Sequence, residues 1–532
     1  MISSGIMRTT LKDVDNPNRW NINNVPGFLE DKKPDVLTKL NFVEYVPITD
    51  TGKEFSFKLT DPTSEKAIFD TTNRALVFTD KYIEFGITVP THVLFGLGQH
   101  NAKFLLQEGR WTMFNRDHPG SPEAKGQGKQ HLYGTHPFLM VKTEDNKFIG
   151  VLFYNSNPQQ VYIEFSKSGK SVVTYRTIGG ILDMYFFTAD TADNIIMKYN
   201  ELIGKPVLPP FWALVYHQGS WAYNSTNDLK NVVSNYTSQG YLFDTIWSDI
   251  TYMEDYIDFT VDGVNFAGLK DFIDELHDNH VQFVPVLDAA ISTKTDSKGV
   301  NWYDIGNDMG VFIKTVQNPN ASHGNLLAHV WPEYGAFIDF LHPNATEFWS
   351  QGLQALYDII PYDGIWLNMN EPSNFCQNTG QYYIGECYPH QKSNETDRFE
   401  VVNHHSYSDI PFIPGEEDLV IVSVSMDAIF TDPKENATGE YIMYNIHNLY
   451  GTLQTKATNE YLTSRDNRRQ LIISRDSFVG HGQYGSVWTG DISANKDHMQ
   501  LSINQIMNFN QFGIPFVGAD ICGFYDNATG EI

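Results

Sequence analysis

The chain of 532 residues is long enough for two or more domains, and its hydrophobic content of 41% can supply each with a core. The formal net charge is −27, which argues against nucleic acid and anionic membrane surfaces as partners, because both are negatively charged. The acidity is typical of a soluble protein or, alternatively, of an enzyme from an acidic compartment. Since no apolar run could cross a bilayer, no membrane span is predicted.

Cysteines and glycosylation sequons bear on the compartment of the protein. Cys376 and Cys387 could close a short disulfide loop, which leaves Cys522 unpaired, an unusual state for a secreted protein. Asn-x-Ser/Thr sequons occur at Asn224, Asn235, Asn320, Asn344, Asn394, Asn436 and Asn527. They favour a glycoprotein of the secretory route, although the N-terminus lacks the apolar segment of a signal peptide. Either such a signal has been removed, or the protein never had one.

The N-terminal part of the chain predicts an arm followed by a β-sandwich. Residues 1–37 are polar and contain many Asn and Pro, which predicts an extended arm. Residues 38–205 contain short segments that alternate apolar and polar side chains, such as 55–59 and 82–89. Regularly spaced strands without helical periodicity are typical of an all-β sandwich domain.

From residue 206 onward, strand-like and helix-like segments alternate. The predicted strands are 211–216, 245–248, 283–287, 364–367, 471–474, 487–489 and 516–519. The helical segments carry apolar residues at positions i, i+3, i+4 and i+7. This alternation predicts an α/β fold, a (β/α)8 TIM-type barrel over 206–532, with seven strands present and insertions near 291–345 and 373–438. Polar residues follow several strands, and in such a barrel this end forms the active site.

Residues 364–372, which read GIWLNMNEP, and the following Ser373-Asn374-Phe375 resemble the W-x-D-M-N-E signature of glycoside hydrolase family 31, the α-glucosidase family. The resemblance covers nearly all of residues 38–532. It implies an exo-acting, retaining α-glucosidase without a cofactor, which acts on terminal α-linked glucose of oligosaccharides or glycans in a lysosomal or extracellular setting. The family barrel also has an eighth strand with an active-site histidine, so a further chain or fragment is expected to supply that strand.

The resemblance also implies a catalytic pair. Retaining glycosidases use two carboxyl groups about 5–5.5 Å apart. The nucleophile position falls on Asn368, the acid/base on Asp491 within the sequence WTGD, and Arg475 matches an arginine near the nucleophile. An alternative for Asp491 is a helix N-cap, because a helix is predicted after it.

Asn368 stands where the family has its nucleophilic aspartate. An amide carries no negative charge and cannot attack as a carboxylate does, so this form is expected to be inactive. Two explanations stay open, a substitution that traps a substrate complex and a natural, catalytically silent family member. The alternative function is therefore a carbohydrate-binding or structural protein built on the same fold.

The resemblance also implies a set of substrate-binding residues. Asp117, in the sequence NRD of a sandwich loop, and Asp249 are expected to bind sugar hydroxyls. The other expected pocket residues are Trp221, Ile291, Trp331, Trp366, Met369, Phe375, Trp488, Asp520 and Phe524. The alternatives are an exposed turn for Asp117, a barrel-rim carboxylate for Asp520 and ordinary core packing for the apolar side chains. No metal or phosphate motif occurs, so no metal site is predicted.

Overall fold

The computed structural model describes residues 5–29, 44–47, 56–60, 67–72, 74, 76–118, 130–315, 324–375, 407, 410–433 and 440–530. Cys376 and Cys387, together with the sequons at Asn320, Asn394 and Asn436, lie outside these ranges. Cys522 is an exposed free cysteine. Within the described ranges, no helix has both the length and the apolar character needed to cross a membrane.

The N-terminal domain consists of antiparallel strands followed by one helix. Its strands are β1 Ile6–Leu11, β2 Glu44–Pro47, β3 Phe57–Thr60, β4 Ala67–Asp70, β5 Leu76–Thr79, β6 Tyr82–Val89, β7 Leu94–Asn101, β8 Gly109–Met113, β9 Gln130–Lys142, β10 Phe148–Phe153, β11 Gln159–Phe165, β12 Ser171–Thr177 and β13 Leu182–Ala189. The helix α1 spans Ala192–Ile203, and Thr191 caps its N-terminus.

These strands form two sheets. A five-stranded sheet has the order β1-β13-β10-β9-β7, and an eight-stranded sheet has the order β2-β3-β4-β6-β12-β11-β8, with β5 paired to β6. Strand β12 alternates strictly between buried and half-buried side chains, because one of its faces packs in the core between the sheets. The prediction of an all-β sandwich is confirmed.

The segment predicted as an extended arm differs from that prediction. Strand β1 pairs with β13, and the Arg8 guanidinium donates to both carboxylate oxygens of Asp183 at 2.8 and 2.6 Å. Trp20 and Ile22 are buried in the hydrophobic core. Polar turn residues separate these apolar positions, so the sequence showed no strand pattern. The N-terminal segment belongs to the sandwich.

The second domain is built on a parallel sheet surrounded by helices. Its elements in chain order are β14 His217–Gln218, α2 Thr226–Ser238, β15 Thr245–Ser248, α3 Leu269–Asp278, β16 Gln282–Leu287, β17 Ala290–Ser292, α4 Trp302–Met309, β18 Leu327–Val330, β19 Glu333–Phe337, α5 Ala345–Ile359, β20 Gly364–Leu367, α6 Met443–Ile446, α7 Tyr450–Asp466, β21 Leu471–Ser474, β22 Ser486–Trp488, α8 Lys496–Gln511 and β23 Val517–Gly518.

Seven strands of the described chain form the parallel sheet, in the order β14-β15-β16-β20-β21-β22-β23. The prediction of a TIM-type barrel with seven strands present is confirmed. The predicted strand 211–216 is wrong, because Phe211–Leu214 is a 3-10 helix and the strand begins at His217. Phe211 is 84% exposed, and the preceding prolines cannot donate to a sheet ladder. Apart from the buried Ala213 and the half-buried Trp212, the segment lacks the burial of a barrel strand, and its first four residues form a helix instead of pairing in the sheet.

The predicted insertion near 291–345 is a small subdomain. Strands β17, β19 and β18 pair antiparallel in that order, and α4 packs beside them. Of the predicted insertion 373–438, the structure describes residues 373–375, 407 and 410–433. No strand longer than an isolated bridge occurs in these ranges.

The sandwich contacts the barrel at the carboxyl end of its strands. The Asn115 backbone N–H donates to Asn448 Oδ1 at 2.9 Å, and the Asn115 side chain donates to the Asn448 carbonyl at 3.0 Å. The Gln99 side chain donates to the Thr489 carbonyl, directly after β22, at 2.9 Å. These buried bonds hold the sandwich loop that carries Asp117 above the sheet.

Candidate active site

The inner face of the parallel sheet carries a layer of large apolar side chains. The Trp247 and Trp366 rings lie 5.6 Å apart between centroids, and those of Trp366 and Trp488 lie 5.2 Å apart. Val284 and Ile473 belong to the same cluster. Because side chains alternate along a strand, their sequence neighbours face the outer helices instead. The three tryptophans form the floor of the site.

The next residues on that inner face are polar. Asp249, Asp288, Asn368 and Arg475 each lie two or four residues beyond a member of the apolar layer, so they share its face. The backbone N–H groups of Asn368 and Arg475 continue the sheet ladder, donating to neighbouring carbonyls at 2.9 and 3.0 Å. The strand ends therefore bring the predicted residues Asp249, Asn368 and Arg475 to one place.

Asn368 is buried, and its contacts fix the side-chain amide. Its Nδ2 atom donates to Asp288 Oδ1 at 3.2 Å. Asp288 is held in turn by its backbone N–H, which donates to Asp258 Oδ1 at 3.0 Å. Burial raises the pKa of Asp288 to about 7, against the opposing charge of Arg475. Nδ2 is turned to Asp288, and within the described chain the uncharged Oδ1 atom of Asn368 accepts no hydrogen bond.

Arg475 lies at the centre of a buried ion-pair network. Its Nε and Nη2 atoms donate to the two carboxylate oxygens of Glu371 at 2.6 and 2.8 Å. Nη2 also lies 3.4 Å from Asp117 Oδ2, and the guanidinium packs 4.8 Å from the centroid of the Tyr133 ring. The Met369 sulfur is 3.1 Å from Nη2. Arg475 therefore joins the barrel to the sandwich loop.

Asp117 is not an exposed turn residue. Its side chain is 17% exposed, and its Oδ2 atom accepts a hydrogen bond from Ser373 Oγ at 2.8 Å in addition to the contact with Arg475. Ser373 follows β20 by six residues, so the loop after the central strand fixes the aspartate of the other domain. The structure thus brings Asp117 to the polar strand ends of the barrel.

Asp491 follows β22 and faces the same charged groups. Its backbone N–H donates to Tyr133 Oη at 3.2 Å, and the Tyr525 hydroxyl donates to its Oδ2 at 3.2 Å. Burial raises the pKa of Asp491 to about 6, with Arg475 opposing the shift and Asp117 adding to it. The alternative role as a helix N-cap is wrong, because Asn495 caps α8.

Two further carboxyl groups belong to this cluster. Burial raises the pKa of Asp249 to about 6, and the charge of Asp491 adds to the shift. Burial also raises the pKa of Asp520 well above its usual range, and both Asp491 and Asp249 contribute. The buried Oδ2 atom of Asp520 has no hydrogen-bond partner among the described residues. Asp520 is therefore electrostatically coupled to the pocket.

An aromatic wall stands beside the carboxyl groups. The Trp331 ring lies 5.3 Å from Trp221 and 5.0 Å from Phe375, in edge-to-face contacts. The Phe524 ring stacks on Trp221 at 6.1 Å with an interplanar angle of 10°. Ile291 is fully buried in the core on which this wall packs. Trp366 and Trp488 belong instead to the floor of the site.

Sequence reasoning left four residues of this site without a role: Asp288, Glu371, Tyr133 and Tyr525. The sequence could have indicated Asp288 as a site residue, because it follows its strand directly, as Asp249 does. Glu371 lies within the quoted motif. The two tyrosines come from distant segments, and nothing in their local sequence distinguishes them. Among the described residues, no group of three His, Cys, Asp or Glu side chains could hold a metal ion.

Two parts of the chain match models of known protein families. Residues 206–532 match the glycosyl hydrolases family 31 TIM-barrel domain. Residues 2–161 match the glycosyl hydrolase 31 N-terminal galactose mutarotase-like domain. The chain belongs to glycoside hydrolase family 31.

Individual relatives agree with this assignment. The chain is 32% identical to lysosomal alpha-glucosidase of Mus musculus over 469 residues, which cover 88% of this chain and 45% of that protein. It is 33% identical to intestinal sucrase-isomaltase of Oryctolagus cuniculus, covering 91% of this chain and 25% of that protein. The chain thus spans less than half the length of these relatives. The crystal structure of a glucosidase II alpha subunit superposes with a TM-score of 0.77 at 20% identity, over 99% of this chain and 59% of that one, and shares its fold.

Proposed function

We propose that this protein binds terminal α-linked glucose of oligosaccharides or glycans in the pocket at the strand ends. It is an exo-acting, retaining α-glucosidase-type enzyme whose present form lacks the nucleophile. One observation carries the proposal: Asp491, with its pKa raised to about 6, faces the pocket at the end of the sheet where Asn368 follows the central strand. A carboxyl group that is protonated in mild acid suits a general acid.

Position 368 and Asp491 have different roles in the two steps of the retaining reaction. In the family reaction, a carboxylate at position 368 attacks the anomeric carbon while the glycosidic C–O bond breaks. Asp491 donates its proton to the leaving oxygen. Asp491 then removes a proton from water, which attacks the same carbon and releases the carboxylate. Asn368 offers only a neutral amide, so the first bond does not form, although the proton donor is in place.

Substrate binding depends on other groups, which Asn368 leaves intact. Asp249 and Asp117 present carboxylate oxygens that can accept hydrogen bonds from sugar hydroxyls. The wall of Trp221, Trp331 and Phe524 offers aromatic surface for the apolar face of a sugar ring. The pocket can therefore hold a glucose unit without turning it over.

A second candidate is a carbohydrate-binding or structural protein that has lost catalysis. Asn368 itself favours it, because a buried amide hydrogen-bonded to Asp288 is a stable replacement for the catalytic group. The codon for position 368 in the natural gene separates a natural Asn from an introduced one. Activity of the Asp variant then separates the two functions.

Calorimetric titration with maltose, on protein co-expressed with a segment that carries the eighth strand, tests the binding site. We expect the protein to bind maltose and Asp249→Ala to weaken the affinity by about 10- to 100-fold, because hydrogen bonds to a charged group contribute about 1.5–3 kcal/mol. The matched control is Asp244→Ala, an aspartate at the opposite end of strand β15. An equal loss of affinity in both variants would remove Asp249 from the site.

The secretory pathway, with a lysosomal or extracellular destination, is the location that we propose. Two of the relatives are named as lysosomal and intestinal proteins. The sequon residues Asn224, Asn235, Asn344 and Asn527 are all exposed, as glycan attachment requires.

A further polypeptide segment is proposed to complete the sheet. Strands β14 and β23 end the seven-stranded order, and each pairs on one side only within the described chain. Apolar side chains are exposed beside both, with Val215 at 48% and Ile521 at 76%. Unpaired parallel edges with apolar surroundings promote association.

We expect residues 1–532 expressed alone to aggregate, and a co-expressed segment carrying the eighth strand to restore soluble protein. Size-exclusion chromatography with light scattering measures this. A monodisperse monomer of the isolated chain that melts cooperatively would contradict the prediction.

A further inference from the structure

The loop after β23 is fastened to the segment that carries Asp491. The backbone N–H groups of Phe524 and Tyr525 both donate to the Ile492 carbonyl, at 2.6 and 3.0 Å, and the Ala494 N–H donates to the Tyr525 carbonyl at 2.9 Å. Gly523 allows this contact, because its φ is +91° and a Cβ there would lie 2.4 Å from the Ala494 nitrogen. We call segments 491–494 and 523–525, joined in this way, the clasp.

The clasp places two neighbouring aromatic side chains on different parts of the site. Phe524 stacks on Trp221 in the aromatic wall. Tyr525 packs edge-on against Phe524 at 5.0 Å, and its hydroxyl reaches Asp491 Oδ2 at 3.2 Å. Burial and the charge of Asp491 raise the pKa of the Tyr525 hydroxyl above its usual range, so it stays protonated and donates this bond.

Asp491 needs such a donor because most of the groups around it oppose its ionised form. Asp117, Asp249 and Asp520 face it as carboxyl groups, and the fully buried Tyr133 hydroxyl accepts from the Asp491 backbone rather than donating to its carboxylate. Arg475 is the cation nearby, and it already pairs with Glu371 and Asp117. Within the described chain, the hydrogen bond to the Asp491 carboxylate comes from Tyr525.

We propose that Tyr525 is a positioning residue for Asp491, whose hydroxyl holds the carboxyl group in place by donating to Oδ2. The inference rests on the proposed function, which makes Asp491 the acid/base. In each catalytic cycle Asp491 must lose and regain a proton without turning away from the substrate. A donor fixed by the clasp stabilises the carboxylate and keeps one oxygen occupied, which leaves the other for the glycosidic oxygen.

The test is Tyr525→Phe, which keeps the ring that packs against Phe524 and removes only the hydroxyl. The protein is labelled with carboxyl-¹³C aspartate and co-expressed with the segment that carries the eighth strand. The carboxyl group of Asp491 is titrated by NMR, and its signal is assigned by comparison with Asp491→Asn. We expect the midpoint to rise by about half a pH unit, because a hydrogen bond to the charged form is lost. The control is Tyr241→Phe, which removes a hydroxyl from a tyrosine that is 66% exposed and leaves the midpoint unchanged.

The titration needs no activity, so its result is separate from that of the proposed function. An unchanged or lower midpoint in Tyr525→Phe overturns the inference. In the Asn368→Asp background, Tyr525→Phe should also move the alkaline limb of the pH–rate profile upward by the same amount and lower kcat more than it raises KM. If the midpoint moves while the Asn368→Asp protein hydrolyses nothing, the contact is confirmed, and the proposed function fails.

Discussion

Asn368→Asp, made in a chain extended by the eighth strand, should start release of α-glucose from maltose or an aryl α-glucoside. The parent protein should bind these sugars and turn them over negligibly. Asp491 supplies the acid, Asp249 and the aromatic wall supply the binding site, and the carboxylate at 368 is the group that is absent. Restoring it should return rates to the ordinary enzyme range of about 1–10³ per second. The measurement is glucose release, with the anomer identified by NMR immediately after cleavage.

The pH dependence of that activity follows from Asp491. Its pKa is raised to about 6 by burial, and it must carry a proton to act as an acid, so the rate should fall as the pH rises through about 6.

The matched control for Asn368→Asp is Asn495→Asp. It makes the same chemical change at the N-cap of α8, where Asp caps equally well and no activity should appear.

Three results separate the hypotheses. Hydrolysis by Asn368→Asp alone supports the α-glucosidase-type enzyme. If both forms bind maltose and neither hydrolyses it, the site has lost more than its nucleophile, and the carbohydrate-binding protein is the better description. If the parent already hydrolyses at an ordinary enzyme rate, position 368 is not the nucleophile position.

Most of the fold could be predicted from periodicity, and the errors of that prediction have a physical cause. Strands β15, β16, β20 and β21 are runs of apolar and β-branched residues bounded by turns, and both faces of such runs are buried in a barrel. Residues 211–216 are also apolar, but they follow two prolines and four of the six remain exposed, so composition alone predicted a wrong strand. Strand β1 was missed because its partner β13 lies about 175 residues away.

Residue patterns alone could predict the site only where it lies on strand ends, and the candidates elsewhere, such as Asp117 and Trp331, came from the family resemblance. Asp249, Asn368 and Arg475 follow their strands directly, and parallel strands bring such positions together. The Tyr133–Asp491 and Tyr525–Asp491 contacts depend instead on how a sandwich strand and a loop pack on the barrel. No local pattern encodes these distances, and the same holds for the ion pair between Asp117 and Arg475.

Arg475→Met should strongly destabilise the protein. The guanidinium forms a bidentate pair with Glu371, whose side chain is 1% exposed, and it also contacts Asp117. Removing it leaves the Glu371 carboxylate buried without its cation, although Met fills much of the volume. Breaking a buried pair by removing one partner costs about 3–5 kcal/mol. Urea titration followed by circular dichroism measures the loss in free energy of unfolding.

Two further variants test whether the loss of stability comes from the buried charge of Glu371. Arg176→Met removes a similar 2.8 Å contact to Glu84, in which the side chains are 28% and 20% exposed, and should cost below about 1 kcal/mol. The double variant Arg475→Met/Glu371→Gln should recover part of the loss, because a neutral amide is cheaper to bury than an unpaired carboxylate. If Arg475→Met proves no more costly than Arg176→Met, the network around Arg475 does not stabilise the junction between the two domains. A cost that the double variant does not reduce would show that the destabilisation comes from lost packing rather than from the buried charge of Glu371.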